Sequence, residues 1–215
     1  MCRVSAAMGA GGLLTRSEEL GARAAGLCLP RRIAFAGAAC ERARSIFAIC
    51  HAATPVVTFD DALKKLWEGL GRDDLSAVAG IFRPLTGIFE SSCDDTLDRD
   101  WMAWLAIATF EFPSQLVRTR LPSAMLSQCS GLMLTLTGEI DHRLGWNGLP
   151  HEGPLARAEW AAQGRSFEVL AADPLNPTIP LHELVAVGAE VDRLVDELAP
   201  ALAAATGWKL HLQVD

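Results

Sequence analysis

Between Arg31 and Leu202 the apolar residues return every three or four positions, run after run, and most runs close on glycine or proline. That spacing stacks apolar side chains along one side of a 3.6-residue helix and does not suit a sheet, whose period is two. It predicts an all-α, single-domain helical bundle of six to seven helices. The first run holds Ala36, Ala39, Cys40, Ala43, Phe47 and Cys50. The second spans Phe59 to Leu70, with Thr58 as N-cap, Asp61 three residues on and Gly71 as its stop. Asp73 or Asp74 is placed to cap a third, carrying Leu75, Val78, Phe82 and Leu85, which Pro84 must kink or end.

Residues 98–112 form a strongly apolar helix with Trp101, Leu105, Ala108 and Phe112 aligned and Pro113 ending it. Residues 123–143 carry Met125, Cys129, Leu132, Leu136 and Ile140, although "LMLTLT" inside them also fits a strand. A helix over 155–172 follows. The last one aligns Leu184, Gly188, Val191, Val195, Leu198 and Leu202, with Pro200 near its end. In "WKLHLQV" Trp208, Leu210, Leu212 and Val214 alternate with polar residues, which predicts a short C-terminal β-strand. Such a strand needs a partner, in the chain or in a second subunit. Residues 1–30 read as a poorly anchored N-terminal leader, with one short helix over 16–26, and residues 31–215 as the helical domain.

At 215 residues the chain is long enough to bury roughly 70% of its unfolded surface. Its net charge is −7 and only three of its residues are lysine, so no basic concentration exists to hold phosphate backbones. Nucleic acid and membrane are therefore not expected partners. The longest uncharged apolar run, "WMAWLAIATF", falls far short of the ~18 residues of a membrane span. Arg31-Arg32 and "AGLC" imitate export signals, but Glu41 and Arg42 interrupt the one and Leu27 spoils the other. A cytoplasmic location is expected. The six cysteines show no Cys-x-x-Cys pair, which predicts reduced, mostly buried thiols.

Tests for chemistry narrow the field further. "GAGGLL" lacks the third glycine of a dinucleotide loop, and "HELVA" places Ala186 where a zinc helix needs its second histidine. The acidic stretch "ESSCDDTLDRD" breaks the calcium-loop pattern at Arg99 and Leu105 and reads as a solvated turn in which Asp98 or Asp100 caps the next helix. Glu139 and His142 form a single Glu-x-x-His pair. A metal site there would need Glu41, Glu111 or Glu159 to complete it. The six tryptophans follow apolar stripes or element ends and read as core, and Gln163 as a buried polar group between Trp160 and Phe167.

In "ACERARSIFAIC" the two cysteines stand ten residues apart, ~15 Å along a helix, too far to share a metal or a disulfide. Glu41 and Arg42 lie off that stripe, with Arg44 or Ser45 in reach of Glu41, as a charged pair facing a partner or a shallow pocket.

"FAGAACERARSIFAIC", "ALKKLWEGL", "IFRPLTGIF" and "AEWAAQGRSFEVLAA" together resemble the YjaG-like family of helical bacterial proteins. The matching residues are Cys40, Glu41 and Arg42; Leu66, Trp67 and Glu68; Pro84; and Glu159 and Trp160, in order over residues 31–214. "ARSIF" replaces the family's usual proline and tyrosine. The resemblance implies a helical cytoplasmic domain and no established reaction.

Together these readings predict a non-catalytic interaction module, an adaptor or an immunity-type inhibitor, acting by self-association (a homodimer) or on a protein partner and needing no cofactor. The expected binding residues are Glu41, Arg42, Trp67, Glu68, Glu159, Trp160 and Gln163. The alternative is a metal-dependent enzyme with carboxylate and histidine ligands inside the bundle.

Overall fold

The computed structural model describes residues 10–50, 53–90, 98–149, 152–176 and 178–208. These residues form an all-α fold: α1 (Ala10–Ala24), α2 (Leu29–Cys50), α3 (Ala53–Gly71), α4 (Leu75–Gly80), α5 (Arg83–Glu90), α6 (Asp98–Ala108), α7 (Glu111–Leu116), α8 (Pro122–Arg143), α9 (Pro154–Ala171) and α10 (Leu181–Thr206). The predicted strand falls on residues outside those described, apart from Trp208.

More helices appear than the expected six or seven, for local reasons. Asp74 caps α4 by accepting the Ala77 N–H at 3.1 Å, but α4 stops at Gly80. Pro84 stands in the first turn of α5, where its missing N–H removes no helical bond. The expected helix over 98–112 breaks at Thr109, whose hydroxyl donates to the Ala106 carbonyl at 2.6 Å. Pro113 consequently does not end that helix; it sits in the opening turn of α7. Thr58 is no cap either, since α3 begins five residues before it. "LMLTLT" is helical, within α8. α10 runs through Pro200 and ends on left-handed Gly207, φ 70°.

The leader expected over residues 1–30 is anchored from Ser17 onward, with Ser17, Leu20, Ala24 and Leu27 buried. α1 lies along α8 at close range because Gly21 has no side chain. A Cβ there would overlap the Ser127 hydroxyl and come within 2.6 Å of the Ser127 backbone nitrogen.

α2 is the axis of the bundle. It touches α3, α6, α7, α8, α9 and α10. Fifteen of its 22 residues are buried, so its apolar surface extends nearly all the way round and not along one stripe. Beside it Phe47 stacks on Phe59 and Phe59 meets Phe110 edge-on, both at 4.8 Å between centroids. At its start buried Arg31 donates to the carbonyls of Leu170 at 2.6 Å and Thr178 at 3.0 Å, and also to that of Asn176. These bonds tie α2 to the end of α9 and the proline-rich connection.

Candidate functional site

Because α2 is packed against helices over most of its surface, Arg42 does not reach solvent although it lies off the main stripe. Arg42 is only 2% exposed, which corrects the expectation of a surface-facing pair. Its Nε and Nη2 donate to the two carboxylate oxygens of Glu159 on α9, at 2.7 and 2.9 Å, and Nη1 lies 3.4 Å from the Ser166 hydroxyl. Burial works against the charge of Arg42, but the facing carboxylate outweighs it and the guanidinium pKa is raised.

Gln163, one turn beyond Glu159, donates to the same carboxylate at 2.8 Å and to the Ser130 carbonyl of α8 at 3.2 Å. The Ser130 hydroxyl donates back to the Gln163 side-chain oxygen. The Ser17 hydroxyl of α1 lies 3.4 Å from that of Ser130. A closed polar network thus crosses α2, α9, α8 and α1 inside an apolar core, where each satisfied group avoids the penalty of an unpaired one.

Two glycines make room for it. At Gly188 on α10 a Cβ would press to 3.0 Å on the Arg42 stem. At Gly37 one would meet the Trp67 ring at 2.9 Å, so the indole lies over α2 and donates its N–H to Glu41 one turn on. Glu41 is half-buried. Burial raises its pKa against the Trp67 bond and Arg44, with Asp192 on α10 adding to the rise. Burial raises Asp192 too, opposed by a hydrogen bond from Ser45. Arg44 acts on Glu41 through its charge, as expected of a residue within reach, while its hydrogen bonds fork onto Asp60 of α3 at 2.6 and 3.1 Å.

The structure therefore joins Arg42, Glu159 and Gln163 in one network and Glu41 with Trp67 beside it. It leaves Glu68 outside, exposed and 3.6 Å from Arg72. Trp160 points into a separate cleft with Arg16, Trp146, Glu152 and Arg157. The ligands required by the metal alternative do not converge. Glu139 pairs with Arg143 at 2.8 Å, His142 is exposed, and Glu159 is held by Arg42. Among the described residues no three His, Cys, Asp or Glu side chains are grouped to hold an ion.

Sequence reasoning missed Ser130, Ser166 and Asp192, and placed Gly188 on the buried stripe without its role beside Arg42. The available signal was small residues on the buried sides of α8, α9 and α10, which mark where a large polar side chain from α2 must fit. It also took Trp101 for core, whereas Trp101 and Trp104 are 41% and 48% exposed. The buried side of α6 is Met102, Ala103, Leu105, Ala106 and Ile107. No helix among the described residues is long and apolar enough to cross a membrane. Comparison with family models, curated proteins and solved structures finds no match to this chain.

Proposed function

We propose that the protein is a non-catalytic interaction module of the cytoplasmic, YjaG-like bacterial type, an adaptor or immunity-type inhibitor working through self-association or a protein partner. The observation that carries this reading is the pair of exposed indoles, Trp101 and Trp104, one turn apart on α6. Solvent-facing tryptophans on a rigid helix are the side chains that dominate binding energy at protein interfaces. Of the polar side chains in the sequence motifs, Arg42, Glu159 and Gln163 are joined through the Glu159 carboxylate in the core and so do not face a partner. That mutual bonding also supports the family reading. Motifs far apart in the chain meet in pairs, Arg42 with Glu159 and Glu41 with Trp67.

The test is analytical ultracentrifugation of the intact protein against a Trp101→Ser/Trp104→Ser variant over a concentration series. Concentration-dependent association in the wild type, abolished in the variant with unchanged circular dichroism, is the expected result. Identical sedimentation of the two proteins removes α6 as the association surface. Stoichiometric iron, manganese or zinc in untagged protein overturns the non-catalytic reading.

A further inference from the structure

The side of the bundle where α1, the turn after α8 and the start of α9 meet carries a cleft of about 490 Å³ lined by Arg16, Trp146, Glu152, Arg157 and Trp160. That volume lies in the range of small-molecule sites. Among the described residues the lining is two guanidiniums, two indoles and one carboxylate, a composition unlike the apolar core beneath it.

Its walls are held from below. α1 is locked on α8 through Gly21. The first turn of α9 is capped from α8 by Asp141, whose oxygens accept the N–H groups of Leu155 at 3.1 Å and Ala156 at 2.9 Å. The Trp146 indole donates to the Leu149 carbonyl at 3.1 Å, which fixes its ring plane. Arg157 and Trp160 are three residues apart on α9 and so share one side of the helix.

The charges in the cleft are under-used. The Arg157 guanidinium stands 6.0 Å from the Trp146 ring centroid and within electrostatic reach of Asp141. Neither Arg157 nor Arg16 closes an ion pair among the described residues, in contrast to Arg42 and Arg44. Among the described residues Glu152 leaves the lining with a net positive charge and supplies one hydrogen-bond acceptor.

We infer that this cleft binds a small ligand consisting of an anionic group on a planar ring. The ring lies against Trp146 and Trp160, and the carboxylate or phosphate takes the N–H donors of Arg16 and Arg157. Glu152 accepts from a ring N–H or hydroxyl. Arginine forks suit oxyanions, and indole faces suit flat rings of any kind. This goes beyond the interaction role of α6, which contributes nothing to the cleft.

The intact protein is titrated calorimetrically at low salt with indole-3-carboxylate, adenosine 5′-monophosphate, adenosine and inorganic phosphate. Saturable binding of a ring-bearing anion is expected, with adenosine and inorganic phosphate far weaker. Which of the first two compounds binds separates a carboxylate source from a nucleotide source. Arg16→Ala and Arg157→Ala should each weaken that binding about tenfold, the loss of one charge-assisted contact. Both side chains are exposed, so the variants should keep the wild-type melting temperature. Absence of saturable binding by both ring-bearing anions overturns the inference. So does an affinity unchanged in the double arginine variant, or phosphate alone binding as tightly as the nucleotide.

Discussion

Arg42 and Glu159, 117 positions apart in the chain, form a two-pronged ion pair from which solvent is almost wholly excluded, at 2% and 0% exposure. A pair of this kind adds little net stability over apolar residues of similar shape, yet losing one member leaves a bare charge in the core. Glu159→Gln should therefore cost about 3–5 kcal/mol in urea unfolding. The double change Arg42→Met/Glu159→Leu should cost clearly less than either single one. Additive losses in that cycle would mean the two side chains are not coupled.

Two glycine-to-alanine changes should have opposite signs. Gly21→Ala drives a methyl onto Ser127 and within 2.8 Å of the Ser123 carbonyl oxygen, so α1 must lift off α8. A loss of about 1–3 kcal/mol is expected. At Gly164, inside α9, a Cβ meets nothing within 4 Å. Gly164→Ala should gain about 0.5–1 kcal/mol from helix propensity alone. Thermal melts of the two variants decide the matter.

Glu41 and Asp192 have pKa values raised on folding from ordinary values of 4.5 and 3.8. The native state thus holds its protons more tightly than the unfolded chain. The stability these groups contribute is complete below their unfolded values and is lost as pH rises through the native ones. Asp192→Asn removes one such group while keeping an acceptor for Ser45. Its stability relative to wild type should increase from acidic to neutral pH. A difference that stays flat with pH, or falls, contradicts the assignment. Asp196, Arg42 and Arg44 also act on Asp192, so the variant is best compared in matched salt.

Cys40, Cys50 and Cys129 are buried, and burial pushes the thiols of Cys50 and Cys129 up to about 12, with Cys40 raised as well. Thiolate is the reactive form. Peptide-resolved iodoacetamide labelling of native protein should spare these three and modify half-buried Cys28 before them. Denaturant should equalise the rates. Rapid native labelling of Cys129 would show that α8 opens independently of the core.

How much of this the sequence disclosed follows from what periodicity measures. It records which side of a helix is apolar, and so it located the long helices, the Asp74 cap and the stop at Gly71. It does not record how many neighbours a helix has. α2 packs against six other helices, and that packing puts Arg42 in the core, where α9 supplies Glu159. The break at Thr109 was hidden for a related reason. The apolar pattern continues across it to Phe112, and a single hydroxyl bond to Ala106 marks the interruption. Trp101 misled in the opposite sense, since an aromatic residue satisfies a core pattern whether or not anything covers it.

Arg31 and Arg42 both lie in α2, and their acceptors belong to residues 159–178. On a ribosome the central helix is made early, while the groups that neutralise its two guanidiniums emerge only in the last third of the chain. Until then α2 cannot be enclosed without stranding charge, so its early apolar neighbours have reason to stay loosely gathered. Closure of the core around these two guanidiniums therefore requires α9 and the connection after it.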